Sequence, residues 1–161
     1  MIDMNNEELK IRITEYPPLG GMGVFDEALD ANGWLVLNTE SKDWPSLAES
    51  LNSDPLLQFD FLFCLTCIDW KTHLTMVYHL RSSTHLHELV VKSKLDRANA
   101  EIGSVTHIWR TAEFHEREVY ELFGVNFLNH PDLRLLILPD GWEGKNPLRK
   151  DFEDPVNMIR L

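Results

Sequence analysis

The sequence predicts an α+β domain, a two-layer unit in which a mixed, mostly antiparallel sheet carries helices on one face and an irregular extended tail follows. Three observations carry that expectation. Residues 59–95 hold three β-prone runs joined by short polar connections, the pattern of a strand meander. Amphipathic helical segments stand on either side of the meander. Beyond residue 138 the chain turns to Pro, Gly and charged residues without any period.

Each element follows in order. Residues 1–32 contain Pro17-Pro18, Gly20-Gly21 and Gly23 and little hydrophobic period, which predicts a weakly structured N-terminal arm. Residues 34–37 (WLVL) read as a short strand. Asp43 is placed to cap a helix, Pro45 suits an early helical position, and Trp44, Leu47, Ala48 and Leu51 share one face. Asp54-Pro55 ends that helix. Residues 59–70 are too continuously apolar for an exposed edge and read as a buried strand with a bend near Asp69. Residues 74–80 and 86–95 supply two further strands. A second helix over residues 111–123 places Ala112, Val119, Leu122 and Phe123 on one stripe, with Gly124 as its left-handed C-cap. Residues 133–138 (LRLLIL) predict a last strand. The expected organisation is therefore an arm (1–32), an α+β core (33–138) and an extended partner-docking tail (139–161).

Composition bounds the function. The chain has 161 residues, a formal net charge of −11, 43% apolar residues and 25% charged residues. That is the balance of one ordinary globular domain able to bury a core. Nucleic-acid binding is not expected, because no Lys/Arg cluster exists to neutralise phosphates. The acidic balance also argues against direct adsorption to an anionic membrane. No apolar run approaches the roughly 20 residues a membrane span needs. The N-terminus lacks the basic and apolar regions of a signal peptide, so a cytoplasmic chain with reduced cysteines is expected.

Few residues suggest chemistry on their own. Cys64 and Cys67 form a lone C-x-x-C inside a strand-like run rather than at a helix N-terminus, and no further cysteine completes a metal site. His85 and His87 would share one strand face, an arrangement compatible with a metal but more often solvated. His115-Glu116 begins an H-E-x-x-H pattern that fails at Val119. No G-x-G-x-x-G, Walker A or G-x-S-x-G pattern is present. A stand-alone thiol or metal enzyme using Cys64, Cys67 and nearby histidines is thus the minor alternative.

The unusual feature is the acidic helix EFHEREVYELF. Glu113, Arg117 and Glu121 have the i,i+4 spacing of a solvated ion-pair face. Glu116 instead falls inside the apolar stripe, where a carboxylate must find a partner or stay partly wet. An ion pair with Arg134 or Arg149, a contact with another polypeptide and a proton relay are the readings open to it.

At this helix the sequence resembles a known family. Glu116-Arg117-Glu118, Glu121-Leu122-Phe123, His130-Pro131-Asp132-Leu133-Arg134 and Leu135-Leu136-Ile137 resemble the signature of the C-type subunit (the 30 kDa subunit family) of NADH:quinone oxidoreductase, respiratory complex I. Trp142-Glu143-Gly144 and Pro147-Leu148-Arg149-Lys150-Asp151-Phe152 resemble the family's second hallmark, and the likeness spans roughly residues 33–153. Lys145-Asn146 stands where a His is common. The resemblance implies a peripheral-arm scaffold subunit with no catalytic residue, cofactor or metal of its own. FMN and iron–sulfur clusters would sit in partner subunits, which carry electrons from NADH to quinone with ion translocation. The implied partners are the large, quinone-site D-type subunit and the cluster-bearing B-type subunit. Membrane contact is then indirect, on the cytoplasmic side of the inner membrane. The homologous scaffold of a membrane-bound hydrogenase or ferredoxin-linked complex is the alternative. The tail, lacking obvious self-packing residues, is expected to satisfy its backbone and its Arg149 and Lys150 charges on a partner, so truncation after Pro139 is expected to leave the domain folded.

Overall fold

The computed structural model describes residues 5–15 and 21–154. Its centre is a five-stranded sheet of order β1-β2-β5-β4-β3. The strands are β1 (Gly23–Phe25), β2 (Leu35–Glu40), β3 (Phe61–Asp69), β4 (His73–Arg81) and β5 (Glu88–Asp96). The β3-β4-β5 meander is antiparallel throughout, whereas β2 pairs with β5 in parallel. Helix α2 (Trp44–Ser53) makes the crossover that carries the chain from β2 to the far edge. A small parallel pair, β6 (Glu101–Gly103) with β7 (Asn126–Leu128), is joined by α3 (Ala112–Phe123). The architecture is the expected α+β two-layer fold.

The helices share one face of the sheet. Trp44, Leu47, Ala48 and Leu51 of α2, and Val119 and Phe123 of α3, enter the same core as Leu37, Leu62, Met76, Tyr78 and Val91 of the strands. Trp44 and Tyr78 pack at 4.2 Å between ring centroids, their planes tilted by 37°, a contact of large area and defined geometry. The opposite face carries a smaller cluster of Val36, Val77 and Val90, with Trp34 against it. Gly103 allows the close approach of β6 to α2, since a Cβ there would lie 2.4 Å from Pro45 Cγ.

Four expectations need correction. The arm is not weakly structured throughout: α1 (Asn6–Glu15) buries Leu9 and Ile13, and β1 extends the sheet. Its helix starts on a reciprocal cap, in which the Glu8 N–H donates to Asn5 Oδ1 and the Asn5 N–H to Glu8 Oε2. Pro17, Pro18 and Gly20 lie outside the described residues. Asp43 occupies the N-cap of α2 but makes no side-chain cap bond. β3 is not a buried strand but the edge of the sheet, with Phe61 and Ile68 exposed and a bulge between Leu62 and Cys64; the expected bend follows Asp69, at Lys71 and Thr72. Residues 133–138 form no strand, because their amides pair with a helix side chain rather than a neighbouring strand.

Candidate functional site

The signature residues converge on α3. Gly124 ends the helix at φ +71, the left-handed conformation expected of it. The Asn146 amide packs so closely that a Cβ at Gly124 would lie 2.7 Å from its Nδ2. From this helix, side chains reach out to hold two irregular segments.

The first clamp uses Arg117 and Glu121. Both are buried rather than forming a solvated face. Arg117 donates from Nε to the Arg134 carbonyl (3.1 Å) and from Nη2 to the Leu135 carbonyl (2.7 Å). The Glu121 carboxylate accepts the N–H groups of Leu136 (2.8 Å), Ile137 (3.0 Å) and Leu138 (3.2 Å). A single carboxylate thereby satisfies three consecutive amides that would otherwise pair with a strand. The turn leading in is set by His130, which donates from Nε2 to the Glu113 carbonyl and accepts the Asp132 N–H at Nδ1. Pro131 is exposed beside it, and Asp132 pairs with Arg134 at 2.9 Å on the surface.

Glu116 is wholly buried and meets neither Arg134 nor Arg149. Its Oε1 accepts the Val105 N–H at 2.9 Å, while Oε2 has no hydrogen-bond partner. His130 Nε2 lies 3.9 Å from Oε2. Because Nδ1 of that ring accepts a hydrogen bond and Nε2 donates one, the ring is in its neutral form and the pair is no salt bridge. Burial pushes the Glu116 carboxyl up to about 7, against the opposing pull of the Val105 N–H and the Ser104 hydroxyl. A direct contact between Glu116 and another polypeptide is excluded by its burial within this chain.

The second clamp centres on Asp69, at the end of β3. Its carboxylate accepts a two-pronged bond from Arg97 (3.0 Å at both Nε and Nη2) and the N–H groups of Lys71 (2.8 Å) and Lys150 (2.9 Å). Hydrogen bonding to Arg97, ahead of the opposing effect of burial, holds Asp69 well below the usual carboxylate range. Arg97 also pairs with Asp151. The Leu148 N–H donates to the Leu122 carbonyl, and Arg149 Nε to the Phe123 carbonyl at 2.7 Å. These bonds satisfy the carbonyls that a helix end leaves open. Pro147 is half-buried, and Phe152 packs toward Trp142 with ring centroids 6.4 Å apart. The tail through residue 154 is irregular, as expected, but its backbone and its Arg149 charge are met by the chain's own α3 and β3.

The remaining candidates do not assemble a reactive centre. Cys64 and Cys67 lie on β3 as free thiols. Burial, with the Asp69 charge adding to it, pushes Cys67 up to about 12; burial and Glu118, itself half-buried on α3, raise Cys64. A redox thiol needs the opposite shift. His85 and His87 are buried rather than solvated, and their Nε2 atoms bond the Pro55 and Leu57 carbonyls. Among the described residues, no group of three or more His, Cys, Asp or Glu is arranged to hold a metal ion. No helix among them is long and apolar enough to cross a membrane. Sequence reasoning missed the roles of Asp69 and Arg97; a lone Asp closing an apolar run was the available signal.

What these residues share is positional work: buried charges on α3 and β3 fix two surface segments of the chain. The chain belongs to the family of the respiratory-chain NADH dehydrogenase 30 kDa subunit, whose pattern it matches over residues 37–156. It is 40% identical over 133 residues to the C-type subunit of the NADH-quinone oxidoreductase of Chlorobium phaeobacteroides, covering 78% of each chain. It spans 46% of the corresponding Chloroherpeton thalassium protein, with 40% identity over 112 residues and 68% of this chain matched. To the fused C/D protein of the NADH-quinone oxidoreductase of Phocaeicola vulgatus it is 44% identical over 104 residues, 63% of this chain and 20% of that one. Among solved structures, a chain of the archaeal membrane-bound sulfane sulfur reductase matches with a TM-score of 0.76 and 26% identity. The match covers 91% of this chain and 85% of that one.

Proposed function

We propose that this chain is a cofactor-free structural subunit of the peripheral arm of a proton-translocating NADH:quinone oxidoreductase. It does no redox chemistry itself. Electrons pass from NADH through FMN and iron–sulfur clusters held in partner subunits, and then to quinone. The chain joins the quinone-site D-type subunit and the cluster-bearing B-type subunit, on the cytoplasmic face of the membrane and without crossing it.

The observation that carries this reading is the use made of the signature residues. Arg117, Glu121, Arg149 and Asp151, together with Asp69, hold two irregular surface segments in place. The fused C/D relative supports proximity to a D-type partner. The likeness to a sulfane sulfur reductase chain favours a second reading, the same scaffold role in a related membrane complex with another electron donor or acceptor.

The test is a tagged pull-down from gently solubilised native membranes, with every co-purifying chain identified. Recovery of flavin-bearing, cluster-bearing and membrane subunits with NADH:quinone activity supports the first reading. Partners that include no flavin-bearing or NADH-binding chain support the second. A chain that comes down alone refutes both.

A further inference from the structure

We infer that one internal water molecule is bound between Glu116, Tyr78 and Trp44, joining the helix that carries the clamps to the centre of the strand meander. Three buried polar atoms from three elements are left over at this place: Oε2 of Glu116 on α3, the hydroxyl of Tyr78 on β4 and Nε1 of Trp44 on α2. All three residues are 0% exposed. They are also neighbours. The Trp44 and Tyr78 rings lie 4.2 Å apart. Burial first, and then the Glu116 charge, push the Tyr78 phenol well above its ordinary value, while the approach of the Trp44 side chain pulls it the other way. Neither the indole N–H nor the phenol completes a hydrogen bond of normal geometry.

The protein groups around Oε2 are committed elsewhere. His130 Nε2 is 3.9 Å away, but its proton goes to the Glu113 carbonyl at 3.1 Å. The Val105 N–H goes to the other carboxylate oxygen. The Ser104 hydroxyl, which also acts on Glu116, lies 2.9 Å from Thr106 Oγ1. A buried polar atom left unpaired costs about as much as a hydrogen bond is worth, and one shared partner removes all three penalties at once. The inventory selects the ligand. An indole N–H only donates, a carboxylate accepts, and a phenol does either. A cation would meet the indole N–H, and an anion would meet the carboxylate. Water accepts from Trp44, donates to Glu116 and bonds Tyr78, which gives it the roughly three hydrogen bonds typical of an internal water. The bridge thereby ties α3, from which both irregular segments are held, to β4 and α2.

The test is a crystal structure of the full chain at a resolution that shows ordered water. Expected is one peak within about 3.2 Å of Glu116 Oε2, Tyr78 Oη and Trp44 Nε1. In solution, oxygen-17 relaxation dispersion reads the long-lived waters of the same chain. Tyr78→Phe keeps the ring and its packing but removes one partner of the water, so its slow-relaxing signal should fall below the parent's by the share of a single molecule. A position without a peak, or a direct bond from the Tyr78 hydroxyl to Glu116 Oε2, overturns the inference, and so does an equal slow-relaxing signal in the parent and in Tyr78→Phe. The crystal result stands on the parent alone, so it decides the matter even if the variant fails to fold.

Discussion

Glu116 offers a sharp test of how burial tunes this domain. A carboxyl at 4.5 in the unfolded chain and about 7 in the folded one holds its proton more tightly when folded. Stability from this group is then fully present at low pH and is lost as pH rises from about 4.5 to 7, levelling off above. At 1.36 kcal/mol per pH unit the loss is roughly 3 kcal/mol. Glu116→Gln keeps an acceptor for the Val105 N–H and cannot ionise. Urea unfolding followed by tryptophan fluorescence, repeated from pH 4.5 to 8.5, isolates the effect, because every other titrating group cancels in the difference between the two proteins. The variant should match the parent within about 1 kcal/mol near pH 4.5 and exceed it by about 1–3 kcal/mol at pH 8. A difference that does not change with pH would show that the buried carboxylate has found a compensating positive charge, and would refute the reasoning.

The clamps give four further expectations. Asp69→Asn should destabilise the domain in thermal melts, since it leaves Arg97 with Asp151 as its charged partner and weakens the acceptor for the Lys71 and Lys150 N–H groups; because the Asp69 carboxyl is depressed in the folded state, the variant should also lose the part of acid destabilisation that sets in below about pH 4. Glu121→Ala should destabilise by roughly 1–3 kcal/mol and abolish protection of amides 136–138 in hydrogen exchange while leaving β3–β5 protected. Gly124→Ala should cost about 1–2 kcal/mol from the left-handed backbone alone, and more if the Asn146 side chain cannot move aside, as read by thermal melting. Truncation after Pro139 should lower stability by roughly 2–4 kcal/mol, because it removes the bonds from Leu148, Arg149 and Lys150; a truncated chain that melts like the parent would return the tail to the status of a loose extension.

Much of the fold could be read from periodicity because the core elements obey it. Trp44, Leu47, Ala48 and Leu51 are spaced as a helix face and all are buried. The β4 and β5 runs lie inside the sheet, as their apolar residues suggest; β3 has the same apolar look but forms the edge, with Phe61 and Ile68 exposed. The misreadings have definite causes. LRLLIL has the composition of a strand, but its amide partners come from Glu121, fifteen or more residues away in the chain. The α1 helix has only two apolar anchors four residues apart, too faint a stripe to register, although Asn5 and Glu8 carry a cap that was there to be seen. The three-residue strands β6 and β7 are below the length at which alternation means anything. For the site, charge spacing on α3 suggested a wet face because i,i+4 pairs usually are wet. Nothing local shows that Arg117 and Glu121 turn inward onto a later segment, and that knowledge resides in tertiary contacts.

The bond from the Lys150 N–H to Asp69 spans 81 residues, and it has a bearing on the order of events as the chain is made. The β2–β5 pairing cannot close until β5 has emerged, and the bonds to Asp69 and Phe123 cannot form until residues 149 and 150 have followed. Such non-local closures come late in folding. The segment around Leu148 thus takes its fixed form only after residues 149 and 150 have been made. A chain stopped short of residue 150 would therefore hold its sheet and α3 but lack the bonds that fix the segment after them.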